Sequence, residues 1–124
     1  MKLTRMQLDT IMPHADERAG RYLDPLVATM AEYDIDTPAR AAMWLAQIAH
    51  ESAELRLVIE IADGTQYEGR ADLGNTTRGD GRRFRGRGLI QITGRYNYAA
   101  CSLALSGSAD LLLEHPQLLA DDPL

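Results

Sequence analysis

The sequence has little of several features that define particular protein classes. It contains one cysteine, Cys101, among 124 residues, so no internal disulfide can form and a disulfide-stapled mini-protein is excluded. No run approaches the ~18 apolar residues of a membrane span, which predicts no stable membrane insertion. The first nine residues carry charges without a long apolar stretch after them. We therefore expect cytoplasmic synthesis without a signal peptide.

Aromatic residues and positive charge are also scarce over the whole chain. Aromatic residues make up 6%, and 13 basic residues face 18 acidic ones. Nucleic-acid-binding proteins usually show a larger basic surface and aromatic residues for base stacking, so we expect no nucleic-acid partner. The charge is nevertheless uneven, because residues 68–97 hold seven arginines and only three acidic residues, whereas the rest of the chain has a net charge of −9.

The remaining composition is that of an ordinary globular domain. Apolar residues make up 45% and charged residues 25%, and the length suffices for one hydrophobic core. We therefore predict a single domain over residues 1–124. Helix-capping residues and proline at first helical positions predict three helices in the first half of the chain. These helices are expected at Arg5–Met12, Pro25–Tyr33 and Pro38–Glu54.

The third of these helices differs from the other two. Between Ala42 and Ala49 its apolar residues point in almost every direction, which is typical of a buried central helix. Its polar residues gather at the C-terminal end and include Glu51. The pattern therefore predicts a carboxylate at the tip of a core helix, partly shielded by apolar surface.

The second half of the chain differs from the first in composition, because it is rich in glycine. Six glycines between Gly69 and Gly88, with few aliphatic residues, predict a small loop or β-lobe around residues 57–88. Leu57–Ile61 reads as a short strand, and Asp80-Gly81 as a hairpin turn. Two further helices are expected. They are Gly94–Leu105, capped by Thr93 and facing inward through Tyr96, Ala99, Ala100 and Leu103, and Asp110–Leu113. The predicted fold class is mainly α.

Two kinds of site can be tested against the sequence. The zinc pattern H-E-x-x-H begins at His50-Glu51, but Glu54 stands where the second histidine should be, so we expect no metal and no cofactor. Cys101 lies on an apolar helical face, as a buried core thiol would. Paired carboxylates are the better lead, because glycosidic hydrolysis needs one acid and a second carboxylate.

Glu51 and Glu68 fit those two roles. Desolvation at the helix end would favour neutral Glu51, as a general acid requires, whereas a polar loop and neighbouring Arg70 would keep Glu68 ionised. The alternative is that both are ordinary surface carboxylates. Four other acidic residues compete for the same roles: Glu54, Glu60, Asp72 and Asp80.

Five short blocks of the sequence resemble one enzyme family. The blocks are His50-Glu51-Ser52, Tyr67-Glu68-Gly69-Arg70, Leu73-Gly74-Asn75-Thr76, Gly79-Asp80-Gly81 and the continuous stretch Phe84–Tyr98. They are similar to the signature blocks of family 19 glycoside hydrolases, above all the chitinase-like endolysins of bacteriophages and prophages. The resemblance spans roughly residues 46–101.

This resemblance implies a lysozyme-like helical fold and inverting cleavage of β-1,4 bonds at N-acetylated amino sugars. It implies that Glu51 is the general acid, that Glu68 is the general base, and that the Thr93 hydroxyl helps to hold the attacking water. Inversion needs room for that water, about 6.5–9.5 Å between the carboxyl groups. The positions implied for substrate binding are His50, Tyr67, Gln91, Tyr96 and Asn97.

The resemblance leaves the substrate open. Some arginines could meet an anionic glycan such as peptidoglycan at the bacterial cell wall, although a solvated face is the better explanation for any single arginine. A chitinase acting on uncharged chitin and a non-catalytic glycan-binding remnant are the alternatives.

Family domains are longer, so we expect a C-terminally incomplete domain whose uncovered apolar surface favours self-association. The family often has glycines after His-Glu-Ser, and Ala53 and Glu54 here predict a longer helix.

Overall fold

The computed structural model describes residues 2–122 and is mainly α-helical, which confirms the predicted fold class. Two compact units divide this range, residues 2–57 and residues 58–122, and each is described by itself. Seven α-helices and two 3₁₀ turns, Thr65–Tyr67 and Ala71–Leu73, occur in the described part. The helices are α1 (Arg5–Ile11), α2 (Glu17–Glu32), α3 (Pro38–Glu51), α4 (Asp80–Arg83), α5 (Arg95–Ser106), α6 (Asp110–Glu114) and α7 (Leu118–Asp121).

Helix α1 begins as its sequence predicts. The Gln7 backbone N–H donates to Thr4 Oγ1 at 3.2 Å, and the Thr4 backbone N–H donates to Gln7 Oε1 at 2.9 Å. These reciprocal bonds form a capping box that satisfies two N–H groups at the helix start. The helix ends at Ile11, just before Met12 and Pro13.

Helix α2 begins earlier than predicted. It starts at Glu17 and contains Pro25 in its interior, so the expectation of a start at Pro25 is wrong. An interior proline usually costs about 3 kcal/mol. Here a continuous stripe of buried residues extends both before and after Pro25. The free energy gained by burying that stripe outweighs the loss of one backbone hydrogen bond. The stripe consists of Ala19, Tyr22, Leu26 and Met30.

Helix α3 is not buried all round. It buries one stripe, Ala41, Leu45 and Ile48, while Met43 is 73% exposed. The prediction of a buried central helix is therefore wrong. The apolar residues of α3 therefore supply one packing face only. The alanines outside that face are small, and exposing them to solvent costs little free energy.

The chain turns sharply directly after α3, so the prediction that the helix runs on to Glu54 is also wrong. Buried Ser52 organises the turn: its hydroxyl donates to the Ile48 carbonyl at 2.6 Å and accepts from the Leu55 N–H at 2.8 Å. Ala53, Glu54 and Leu55 then have φ angles of 48°, 58° and 69°. Three consecutive side-chain-bearing residues thus occupy the left-handed region that favours glycine.

The second unit opens with the predicted lobe at 57–88. This segment is mostly turn and loop, and pairing within residues 58–122 is limited to two isolated antiparallel bridges, Ile59 with Arg87 and Arg87 with Ile92. The strand predicted at 57–61 is therefore reduced to one bridged residue.

The hairpin turn predicted at Asp80-Gly81 is wrong, because these residues begin helix α4. Gly79 precedes the helix with a φ of 91°, a conformation that glycine adopts without strain. The short helix turns the chain toward Phe84, which is fully buried.

The core of the second unit joins the end of the lobe to helices α5 and α6. Phe84, Tyr98 and Leu112 are its buried centre, and the Phe84 and Tyr98 ring centroids lie 5.1 Å apart. Helix α5 therefore faces inward through Tyr98 and Ser102. The predicted inward face is wrong, since Tyr96 is 63% and Leu103 57% exposed.

The last elements are short. Helix α6 lies where a short helix was predicted, and α7 follows it unpredicted. Cys101 is half-buried against the core, and burial raises the pKa of its thiol. Across residues 2–122, none of the helices is long and apolar enough to cross a membrane.

Candidate active site

The first unit contributes His50 and Glu51, the last two residues of α3. Both side chains are exposed to solvent. The expected apolar shielding of Glu51 is therefore wrong: Glu51 ends the helix, and Ser52 turns the chain away before another helical turn can cover the carboxylate. Within residues 2–122, no group of three or more His, Cys, Asp or Glu side chains is arranged to hold a metal ion.

Glu68 in the second unit is held at the start of α4. Its Oε2 accepts a hydrogen bond from the Gly79 N–H, and its Oε1 accepts one from the Gly81 N–H, both at 2.8 Å. Both carboxylate oxygens thus meet backbone donors that point out of the first turn of the helix. Such donors favour the charged form of a carboxylate.

The ionised state expected for Glu68 has a different cause from the one predicted. The N–H groups of Gly79 and Gly81 lower the pKa of Glu68, opposed by the charge of Asp80 and assisted by that of Arg78. Arg70 was the expected partner, but its guanidinium binds Asp72 in a bidentate pair at 2.5 and 3.1 Å. Two backbone hydrogen bonds therefore take the place of the predicted Arg70–Glu68 ion pair. A pattern of side chains in the sequence does not reveal such bonds.

The turn before α5 brings three of the predicted site residues together. The Thr93 hydroxyl donates to the Gln91 carbonyl at 3.2 Å, and the Asn97 amide donates to the Thr93 carbonyl at 2.8 Å. Gln91 has a φ of 59° and donates its own side-chain amide to the Gly88 carbonyl at 2.9 Å. Thr93 does not cap α5, since Gly94 occupies the N-cap without a side-chain bond.

Glu60 is a carboxylate that the sequence reasoning did not select. Its Oε1 accepts from the Gly86 N–H at 2.6 Å, and its Oε2 accepts from the Tyr67 hydroxyl at 3.1 Å. Gly86 also borders the turn before α5: a Cβ built on it would lie 2.8 Å from Gln91 Oε1 and 3.2 Å from Thr93 Oγ1. Half-buried Glu60 therefore lies at the same glycine as Gln91 and Thr93. The sequence offered Glu60 only as one of four competing acidic residues, inside the apolar run Leu57–Ile61.

The two predicted aromatic site residues have different surroundings. Tyr67 is half-buried, and its hydroxyl is used by Glu60. Tyr96 is 63% exposed, and its ring lies directly against Gly74, where any Cβ would overlap the ring. Gly74 has a φ of 71°, so glycine is needed there for both backbone and contact. The backbone thus supports one part of the Tyr96 ring and leaves the rest open to a ligand.

Comparison with known proteins finds similarity over a short segment of the chain. No model of a known protein family matches the chain. A segment of 34 residues, 27% of this chain, is 59% identical to a glycosyl hydrolase family 19 domain-containing protein of Haemophilus influenzae and covers 17% of that protein's length. The relative is named for a family 19 glycosyl hydrolase domain, the family that the sequence blocks resemble. The chain spans less than a fifth of that relative's length, and the similarity assigns no residue roles.

Most arginines of the cluster bind within the second unit. Arg70, Arg82 and Arg95 pair with Asp72, Asp63 and Asp80, while Arg83 and Arg87 donate to backbone carbonyls. Within residues 2–122, the side-chain hydrogen bonds and ion pairs of the cluster involve the other five arginines. Arg78 is exposed, whereas Arg85 is half-buried and its Nε is buried without a partner. Neither guanidinium group is thus held by a partner in this part of the chain; Arg78 is open to an anionic ligand, and Arg85 is so only through its terminal nitrogens.

Proposed function

We propose that the protein is an inverting glycoside hydrolase that cleaves β-1,4 bonds at N-acetylated amino sugars of peptidoglycan. The observation that carries this proposal is the carboxylate of Glu68, which two backbone N–H groups keep ionised. A carboxylate in that state can accept a proton from water. The short similarity to a family 19 glycosyl hydrolase domain protein supports the same reaction class.

In the proposed reaction, Glu51 donates its proton to the glycosidic oxygen as that oxygen leaves the anomeric carbon. Glu68 takes a proton from a water molecule, whose oxygen attacks the same carbon from the opposite face. The products are a new reducing end with inverted configuration and a free hydroxyl on the leaving sugar. After one turnover Glu51 is ionised and Glu68 is protonated, and proton exchange with solvent restores both.

The remaining site residues are proposed to hold the substrate and the water. The Thr93 hydroxyl can accept a hydrogen bond from the attacking water while donating to the Gln91 carbonyl. The exposed ring of Tyr96 offers an apolar surface to a sugar ring, and Asn97 and Gln91 offer amides to its substituents. His50 and Tyr67 complete the proposed substrate-binding set.

Glu60 is a second candidate for the base, and a specific observation favours it. Glu60 and Thr93 both lie at Gly86, whereas Glu68 lies at α4. If Thr93 holds the attacking water, the carboxylate beside it is well placed to accept the proton. The reaction class is the same with either base.

Substitution of each carboxylate separates the two candidates. We expect Glu68→Gln to lower the release of reducing ends from peptidoglycan by ~10²–10⁴-fold, the usual contribution of a general base. Azide should restore bond cleavage to that variant, because this anion attacks the anomeric carbon in place of water and needs no base; the product is a glycosyl azide, detected by mass spectrometry and not as a reducing end. Loss and azide rescue in Glu60→Gln instead would transfer the role to Glu60. Full activity in both variants would contradict the reaction.

The choice of peptidoglycan rests on the two uncommitted arginines. Arg78 and Arg85 could bind the carboxylates of lactyl-peptide stems, which chitin lacks. Faster hydrolysis of peptidoglycan than of chitin supports an endolysin-like role at the bacterial cell wall, as in phage-encoded lysis. The opposite preference indicates a chitinase. Binding without any release of reducing ends indicates a glycan-binding protein.

A further inference from the structure

We propose that Asp80 and Arg95 are positioning residues that clamp the two N–H donors onto Glu68. The proposal concerns the state of the Glu68 carboxylate, and its meaning for catalysis rests on the function proposed above. Neither residue is assigned a role by the sequence blocks or by the similarity to the family 19 domain protein.

Asp80 is held from two sides. Its side chain is 2% exposed, and Arg95 grips both oxygens: Nε donates to Oδ2 at 2.8 Å and Nη2 donates to Oδ1 at 2.9 Å. The Thr77 N–H also donates to Oδ2, at 3.1 Å. A bidentate guanidinium–carboxylate pair fixes orientation as well as distance. Asp80 is therefore immobilised relative to α5.

Asp80 is also the residue between the two donors. Gly79 precedes it and Gly81 follows it, and their N–H groups bind opposite oxygens of Glu68. Two glycines alone would allow these peptides wide conformational freedom. The Gly81 N–H belongs to the peptide that follows Asp80, so its direction is fixed with Asp80. The turn that carries the Gly79 N–H is closed onto Asp80 as well, because the Asp80 N–H donates to the Thr77 carbonyl at 3.1 Å. Exposed Glu68 can then hold its two hydrogen bonds without support from burial.

A second tie holds the chain on the Glu68 side. Buried Asn75 accepts the Arg95 backbone N–H at 2.9 Å and donates its amide to the Tyr67 carbonyl at 3.0 Å. The start of α5 is thereby joined both to the donors, through Asp80, and to the residue preceding Glu68, through Asn75. Arg95 makes both connections, so the N–H donors of Gly79 and Gly81 and the acceptor Glu68 are held in one fixed arrangement.

Because Asp80 is charged, the direction in which the Glu68 pKa moves when Asp80 is removed tests the proposal. Glu68 faces two charged side chains, Asp80 and Arg78, and the negative charge of Asp80 raises its pKa. If Asp80 acted through charge alone, removing it would lower the pKa of Glu68. If Asp80 holds the donors, removing it loosens them and moves the pKa of Glu68 upward. The two interpretations predict opposite shifts.

The experiment is an NMR titration of the Glu68 carboxyl carbon in the full chain, with the pH profile of peptidoglycan hydrolysis measured in parallel. The variants are Asp80→Ala and Arg95→Lys, the second keeping the cation and losing the bidentate grip. Asp72→Ala is the matched control, because it removes an arginine-paired aspartate from the same lobe without touching α4.

We expect the Glu68 midpoint to rise toward the ordinary glutamate value of ~4.3 in Asp80→Ala and, by less, in Arg95→Lys, and not to rise in Asp72→Ala. An unchanged or lower midpoint in both clamp variants overturns the proposal, and Arg95→Lys decides it if Asp80→Ala does not fold. A raised midpoint with an unmoved acid limb of activity supports the clamp and removes Glu68 as the base. The two proposals therefore fail separately.

Discussion

The left-handed turn after Glu51 allows one prediction to be worked out in magnitude. Ala53 has a φ of 48° and an exposed side chain, so Ala53→Gly removes backbone strain while losing little packing. The left-handed conformation costs a residue with a Cβ roughly 1–2 kcal/mol. Glycine has greater freedom in the unfolded chain, and this lowers the free energy of unfolding by roughly 0.5–1 kcal/mol, which offsets part of the gain. The free energy of unfolding should therefore increase by about 0.5–1 kcal/mol.

Ala46→Gly is the matched control for this substitution. Ala46 is an exposed alanine inside α3, seven positions before Ala53, and glycine there should lower the free energy of unfolding by about 1 kcal/mol. The same chemical change is thus expected to have opposite signs at the two sites. Urea unfolding followed by circular dichroism at neutral pH measures both. If Ala53→Gly destabilised the protein as much as Ala46→Gly, the backbone argument would be refuted.

Three further predictions concern the second unit. Gly81→Ala should destabilise the fold by about 1–3 kcal/mol in urea, because the added Cβ would lie 2.7 Å from both the Glu68 nitrogen and the Gly64 carbonyl oxygen; unchanged stability would refute this close approach. Tyr96→Ala should raise KM for glycan substrates more than it lowers kcat, whereas Tyr96→Phe should behave like the parent. The double substitution of Arg78 and Arg85 by alanine should slow hydrolysis of peptidoglycan more than that of chitin, since Arg78 also assists the ionisation of Glu68 with either substrate; equal fractional losses on both would remove the arginines from substrate selection.

Sequence reasoning succeeded where local signals decide the structure. The Thr4–Gln7 capping box and the Thr37-Pro38 pair each fixed a helix start, because the bonds they make lie within four residues. It failed where packing at a distance overrides local signals. Pro25 looked like a helix start, but a buried stripe on both sides of it carries α2 through.

The same distinction applies to the candidate site. The sequence predicted an ionised Glu68, but it attributed that state to Arg70, because donors from Gly79 and Gly81 are eleven and thirteen residues away and belong to backbone rather than side chains. Glu60 was passed over for a related reason: its partner Gly86 is 26 residues away.

The most direct test of the proposed function is the rate at which Glu51→Gln releases reducing ends from peptidoglycan. Glu54→Gln is the control, since it removes a half-buried carboxylate three residues away, in the turn that follows α3. The proposed role of Glu51 as proton donor predicts a loss of ~10²–10⁴-fold in Glu51→Gln and near-parental activity in Glu54→Gln. Equal activity of Glu51→Gln and the parent, with the fold intact by circular dichroism, would contradict it.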